Sequence, residues 1–351
     1  MLAERLAEYA GCIKFQNLPP EVVHEVKRRV LDSLACSFGA LTAPPCRIAR
    51  RLATGVILKD GATIWGTRHR TTPELAAFAN GTFVRYLDCN DTYLSKEPAH
   101  PSDNIPACLA VAESLHVHGR QFIQAIVLAY EVQCRLCDAA ALRPRGWDHV
   151  TYGALSTAVA TAKLLKLSQN RIVHAINLGG ITAGALRQTR VGEVSLWKAC
   201  AFANASRHGI FAANAAREGM TGPPAMFEGE KGFMKVISGS FSLPDLGGRN
   251  GVSYKILDTY IKPHPVEYHA QSAVEAAFAI RQQIMAEYGE FPVHQFESIK
   301  VGSCDVAIEI IGRDPEKWHP KTRETADHSL PFCVAVALVD GKISPQSFSR
   351  S

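Results

Sequence analysis

The sequence predicts a mainly α fold: a large all-helical domain over residues 1–260 and a smaller α+β domain over 261–351. Three observations carry this expectation. Apolar residues recur at three- and four-residue spacing through most of the first 250 positions, turn residues cluster after Gly219, and one alternating stretch, Phe296 to Gly302, reads as a strand. The 351 residues leave room for two domains at the usual ~100–200 residues each. A chain that is 47% hydrophobic and 20% charged is too apolar for disorder. Composition also excludes collagen, mucin and coiled coil. The net charge of +5 is mildly basic, short of the concentrated field of a nucleic-acid binder. No apolar run reaches the ~18 residues needed to span a bilayer. Neither nucleic acid nor membrane is therefore expected as a partner.

The N-terminus is an amphipathic helix start containing acids, without the basic and apolar regions of a secretory signal. Leu18-Pro19-Pro20 turns the chain, and Val23, Val26, Val30 and Leu34 then mark one buried helix face. Ala62-Thr63-Ile64-Trp65 suggests a short strand. Thr72-Pro73-Glu74 starts the next helix, with proline tolerated in the first turn, and carries Leu75, Phe78, Phe83 and Tyr86 toward an acidic loop. Helical patterns follow over about 104–118, 120–139, 151–166, 170–184 and 197–218. Small residues such as Gly153, Ala154, Ser156 and Ala158 mark central helices of a tight bundle. Beyond a junction near 255–265 come a helix over about 270–288, the strand, and a last helix over about 328–340 before Gly341.

Ten cysteines are present, eight scattered singly among apolar residues. Cys134 and Cys137 form one Cys-x-x-Cys in a helical pattern with no second pair to complete a zinc site. They read as buried core thiols before metal or redox ligands. Thiols used in this way place the chain in a reducing cytoplasm.

Four segments concentrate chemistry. The first is Tyr86 to Tyr93 with His100 to Asn104, a polar loop between two helices. Asp88 and Thr92 stand one helical turn apart and can face one point. His100 is the side chain suited to proton transfer near neutrality, whereas Ser102 and Asp103 read first as helix caps. The second holds Arg187, Arg190 and Lys198. Lys198 opens a helix, where a cation opposes the macrodipole; an anionic ligand and a solvated side chain both account for it. The third crowds Lys262, His264, Glu267 and His269 at the domain junction, where Lys262 and His269 can meet a ligand. The fourth is His149, read more readily as a core or capping histidine.

No metal motif, phosphate-binding loop, dinucleotide fingerprint or nucleophile elbow is present. The set that remains fits acid–base chemistry on a small polyanion, without cofactor or metal.

The strings Tyr86-Leu87-Asp88-Cys89-Asn90-Asp91-Thr92-Tyr93 and His100-Pro101-Ser102-Asp103-Asn104 resemble the signature of the MmgE/PrpD family. The resemblance continues through Leu186 to Glu193, Ser195 to Lys198, Asn204 to Gly209, Gly219 to Pro223 and Ala326-Asp327-His328-Ser329-Leu330-Pro331-Phe332. It implies a large helical domain, a smaller α+β lid, a cleft between them and a homodimer. It places the family's active-site aspartate, threonine and histidine on Asp88, Thr92 and His100, its two lysines on Lys198 and Lys262, and further cleft histidines on His149 and His269. The activities it implies are 2-methylcitrate dehydration, cis-aconitate decarboxylation and iminodisuccinate epimerisation. The surroundings of His149 and His269 look most like the dehydratase branch, and Phe332 replaces a tyrosine of the decarboxylases.

The expected reaction is dehydration of 2-methylcitrate, or a related tricarboxylate, to 2-methyl-cis-aconitate. His100, Asp88, Lys198 and Lys262 are the catalytic candidates; Thr92, His149, Arg187 and His269 are the substrate-binding ones. Family chains continue beyond Gly341 into more of the lid, so the lid is expected to be incomplete here. A catalytically silent, shortened paralogue that only binds a partner is the expectation of another class.

Overall fold

The computed structural model describes residues Met1–Phe348; the last three residues of the polar tail lie outside the described residues. Two compact units form. Among the described residues the first comprises Met1–Tyr86, Asn90–Thr189 and Ala199–Ile261; the second comprises residues 262–348 together with Leu87–Cys89 and Arg190–Lys198.

The first unit is built from α1 (Leu2–Cys12), α2 (Pro20–Ala40), α3 (Pro44–Thr54), α4 (Pro73–Tyr86), α5 (Ile105–Ser114), α6 (Gly119–Ala139), α7 (Thr151–Leu164), α8 (Gln169–Ile181) and α9 (Ala201–Arg217). Prolines in the first turns of α2, α3, α4 and α5 sharpen their starts, because the first-turn N–H that proline lacks has no helical acceptor. A two-stranded hairpin, β1 (Ala62–Thr63) with β2 (Arg70–Thr71), precedes α4.

Helix α7 is the centre: it packs on α5, α6, α8 and α9, and Thr151 through Ala162 are buried without interruption. Small residues make this possible. A Cβ on Gly209 of α9 would lie 2.7 Å from the Ala154 carbonyl oxygen and 2.8 Å from Thr157 Cβ, so the two backbones approach closely there only with glycine. In α2 the buried face is Val22, Val26, Arg29, Ser33, Cys36 and Ala40, whereas Val23, Val30 and Leu34 are half-buried. The face is rotated from the one the valines suggest because Arg29 lies against the buried Asp91 carboxylate, 3.5 Å away. All ten cysteines are free thiols, and burial pushes Cys134 and Cys137 well above the ordinary thiol range.

The second unit contains α10 (Gln271–Tyr288), the short helices α11 (Asp305–Ala307), α12 (Pro315–Trp318) and α13 (Arg323–Ala326), and α14 (Leu330–Asp340). Its core joins Val266, Val274 and Ala277 to Ile311, Cys333, Val334 and Ala337. The strand expected over 296–302 is not formed. That segment is irregular and exposed, with no neighbouring strand to take its N–H and C=O groups and no face buried, so its alternation has nothing to pair with. Among the described residues the second unit is thus helical and irregular, not α+β. No helix among them is long and apolar enough to cross a membrane.

Candidate active site

The eight residues singled out from the sequence fall into two sets. Thr92, His100, His149 and Arg187 belong to the first unit; Asp88, Lys198, Lys262 and His269 belong to the second. Asp88 and Thr92 do not share a helix face, because α4 ends at Tyr86 and the chain turns before Thr92 enters a bridge with Tyr260.

In the first unit the loop after α4 is held by its buried polar side chains. The Asp91 carboxylate accepts from Ser102 N–H at 2.9 Å and Tyr130 Oη at 2.8 Å. Burial pushes its pKa up, against the pull of Arg29, Ser102 and Tyr130. The Asp91 carbonyl oxygen lies 2.7 Å from His100 Nδ1, and Thr92 Oγ1 lies 3.3 Å from the same nitrogen. Arg85 Nη2 is 3.1 Å from His100 Nε2. A guanidinium only donates, so Nε2 is the acceptor and Nδ1 carries the hydrogen that goes to Asp91. The His149 ring stands 5.8 Å from that of His100 at 67°, with its Nδ1 3.1 Å from Asp148 Oδ1.

Ser102 and Asp103 do not cap α5. Residues Pro101–Asn104 form a 3₁₀ turn ahead of it, so both side chains turn inward, where Asn90 donates to Ser102 Oγ at 2.9 Å and to Asp103 Oδ1 at 2.8 Å. Arg187 is brought toward the same region by the backbone: its N–H donates to Gly146 C=O at 2.9 Å, Leu186 bridges Trp147, and Asp148 N–H donates to Ala185 C=O at 2.8 Å. Buried Glu97 accepts from the N–H groups of Leu142 and Arg143. Burial raises its pKa, and Arg143 and Arg187 oppose this.

The second unit holds a denser array of charge. Asp88 takes a left-handed backbone conformation, φ 56°, which aspartate tolerates better than most side chains. Lys262 Nζ then reaches both its carbonyl oxygen, at 2.6 Å, and its carboxylate, at 3.2 Å. Lys198 lies in a 3₁₀ turn, Leu196–Ala199, ahead of α9 rather than in its first turn. It is neither solvated nor opposed by the helix: it is 3% exposed and donates to Asp327 Oδ1 at 3.1 Å. Asp327 also faces Arg323 at 3.3 Å, one turn back. His328 Nδ1 lies 2.7 Å from Asp327 Oδ1 and 3.0 Å from Lys198 Nζ, and its Nε2 is 3.9 Å from Asp88 Oδ2. Lys317 is buried nearby; burial lowers its pKa against the pull of Asp314, Asp327 and Glu267.

His269 is anchored on Glu267, which accepts from its N–H at 2.7 Å and lies 2.9 Å from its Nδ1. His264 instead pairs with Glu275 at 2.5 Å. Burial favours the protonated form of Glu267, but His269 and Lys262 outweigh it and the pKa is lowered. A carboxylate of this kind stabilises the fold above its unfolded pKa, about 4.5, and that contribution is lost as pH falls through the lower folded value. Glu267→Gln is therefore expected to flatten the acid limb of the stability curve. Urea denaturation from about pH 3 to 7 checks this, and an unchanged limb would contradict it.

Arg85, Arg323 and Lys317 were not singled out from the sequence, and Asp327 and His328 entered it only within a string that carries the family resemblance, not as site candidates. The adjacent pair Asp327-His328, directly before a Ser329 N-cap with proline in the first helical turn, was the available signal. Among the described residues no group of three or more histidines, cysteines or carboxylates is placed to hold a metal.

Comparison with known proteins agrees with this architecture. Residues 4–245 match the MmgE/PrpD N-terminal domain and residues 264–351 the MmgE/PrpD C-terminal domain. The chain is 27% identical to a 2-methylcitrate dehydratase of Salmonella typhimurium, over 91% of this chain and 68% of that protein. It is 29% identical to a probable 2-methylcitrate dehydratase of Saccharomyces cerevisiae, over 91% and 64%. It is 27% identical to a cis-aconitate decarboxylase of Homo sapiens, over 99% and 72%. It therefore spans about two thirds of the length of the dehydratases it matches. With both domains matched across nearly its whole length, the chain belongs to the MmgE/PrpD family, whose members named here are lyases.

Proposed function

We propose that this chain is a cofactor-independent hydro-lyase that dehydrates 2-methylcitrate or a closely related tricarboxylate. One observation carries the reading: two buried lysines, Lys198 and Lys262, are each fixed on an aspartate within one unit. With Arg323, three cations face the two aspartates, Asp88 and Asp327. Such a cluster suits a ligand with several carboxylates. The named dehydratase relatives support the same substrate class.

Dehydration removes a proton from a carbon beside a carboxylate and expels the neighbouring hydroxyl as water. That carbon is a poor acid, so developing negative charge must be met by fixed cations; Lys198 and Lys262, with Arg187, supply them. His100 carries a proton, Thr92 bonds a substrate oxygen, and His149 and His269 help orient the substrate.

The likeness to a cis-aconitate decarboxylase over 99% of the chain supports a second reading, decarboxylation at the same residues. Incubation with 2-methylcitrate, citrate, isocitrate and cis-aconitate, with products followed by NMR, separates the readings. A conjugated alkene without carbon dioxide is the expected result, carbon dioxide favours the second reading, and no turnover of any of the four would sink both.

A further inference from the structure

Resting on the dehydratase reading, we propose that Glu267 and His269 form a pair that selects for the substrate hydroxyl. His269 Nε2 accepts the hydroxyl hydrogen, and Glu267 is the positioning residue that keeps Nε2 an acceptor. The pair is recognised by one carboxylate taking two hydrogens from one residue. Glu267 Oε2 accepts the backbone N–H of His269 at 2.7 Å, and Oε1 lies 2.9 Å from its ring Nδ1. Glu267 is the N-cap of the turn Tyr268–Ala270, but a cap needs only the backbone N–H; the second oxygen goes to the ring. Against the effect of burial, His269 and Lys262 keep Glu267 ionised. A carboxylate offers only lone pairs, so Nδ1 bears the hydrogen and the neutral ring carries its lone pair on Nε2. Among the described residues Nε2 meets no hydrogen-bond or ion-pair partner. The side chain is 11% exposed, enough for a ligand to reach it.

Within the second unit this pair is tied to both lysine–aspartate pairs. Glu267 N–H donates to the Asp327 carbonyl oxygen at 2.9 Å, and Asp327 holds Lys198. Lys262, set on Asp88, also acts on the Glu267 carboxylate. The substrate divides between these groups by its own chemistry. Ionised carboxylates only accept, so they suit the lysines and are repelled by a lone pair. The hydroxyl is the one group of a citrate-like substrate that has a hydrogen to give. Nε2 therefore takes the hydroxyl and refuses a carboxylate, which favours hydroxylated tricarboxylates over cis-aconitate.

Glu267→Gln reverses this preference in a defined way. The backbone N–H of His269 cannot give up its hydrogen, so the amide oxygen of the glutamine must face it. The amide NH₂ then turns to Nδ1, which becomes the acceptor, and the hydrogen moves to Nε2. A carboxylate is now welcome there.

The test measures affinity at about pH 8 for citrate and for tricarballylate, the same skeleton with hydrogen in place of the hydroxyl. Wild type, Glu267→Gln and His269→Leu are compared, each also assayed on 2-methylcitrate. Wild type should prefer citrate by about tenfold or more, and both variants by no more than about threefold. A ratio of two affinities does not move merely because a variant is less stable. Ring ¹⁵N spectra of labelled histidine supply a second readout: the His269 hydrogen should sit on Nδ1 in wild type and on Nε2 in Glu267→Gln. A ratio retained in His269→Leu overturns the inference. An unchanged ring spectrum in Glu267→Gln overturns the part given to Glu267. Wild type that dehydrates 2-methylcitrate yet does not prefer citrate to tricarballylate overturns the inference and leaves the dehydratase reading standing. Wild type that binds neither compound and turns over none of the four tricarboxylates overturns that reading, and this inference with it.

Discussion

Lys262→Met is expected to lower stability by about 3–5 kcal/mol and turnover by about 10²–10³-fold. The stability loss comes from what remains behind. Asp88 and the Lys262 side chain are both fully buried, and the ammonium reaches the aspartate's carboxylate and backbone carbonyl together. Removing the cation leaves a buried negative charge whose desolvation its partner had offset, in a residue already held at positive φ. The double variant Asp88→Asn/Lys262→Met removes both charges and should recover most of the stability and none of the activity. Urea denaturation and turnover on the preferred tricarboxylate check both expectations. A single variant as stable as wild type would show that Asp88 is not held as a carboxylate by Lys262.

His100→Ala is the second large effect, a kcat lower by about 10²-fold or more. The ring is gripped on both sides, by the Asp91 carbonyl and Thr92 at Nδ1 and by Arg85 at Nε2, with His149 at its edge. Truncation leaves these neighbours in place, because Asp91 keeps Ser102, Tyr130 and Arg29, and Arg85 keeps Asp103 at 3.9 Å. Melting temperature should therefore change little while turnover falls. Near-normal kcat would remove His100 from the chemistry.

The helices of the first unit were legible because each carries its own evidence. Prolines mark where α2, α4 and α5 begin, and the small residues of α7 and α9 announce close backbones. Where a prediction failed, the missing information lay in another part of the chain. The alternation of 296–302 is a local pattern, but a strand exists only with a partner, and none is there. The valine stripe of α2 is real; the buried aspartate that recruits Arg29 and turns the helix is 62 positions further on in Asp91. Ser102 and Asp103 have the composition of caps, and an intervening 3₁₀ turn sends them to Asn90 instead.

The candidate site divides in the same way. Residue type and spacing single out Asp88, Thr92, His100, Lys198 and Lys262, because acids, a histidine and lysines gathered in otherwise apolar, small-residue surroundings call for chemistry. Asp327 and His328 stand in a short polar interval before α14 whose meaning depends on Lys198 and Asp88, 129 and 240 positions away. Helix periodicity and capping act over a few residues, so the mainly α class and the family signature could be read along the line of the chain. Whether a buried lysine faces solvent or a carboxylate, and which nitrogen of a histidine holds the lone pair, depends on distances of about 3 Å between residues far apart in sequence. Those distances exist only once the chain has packed.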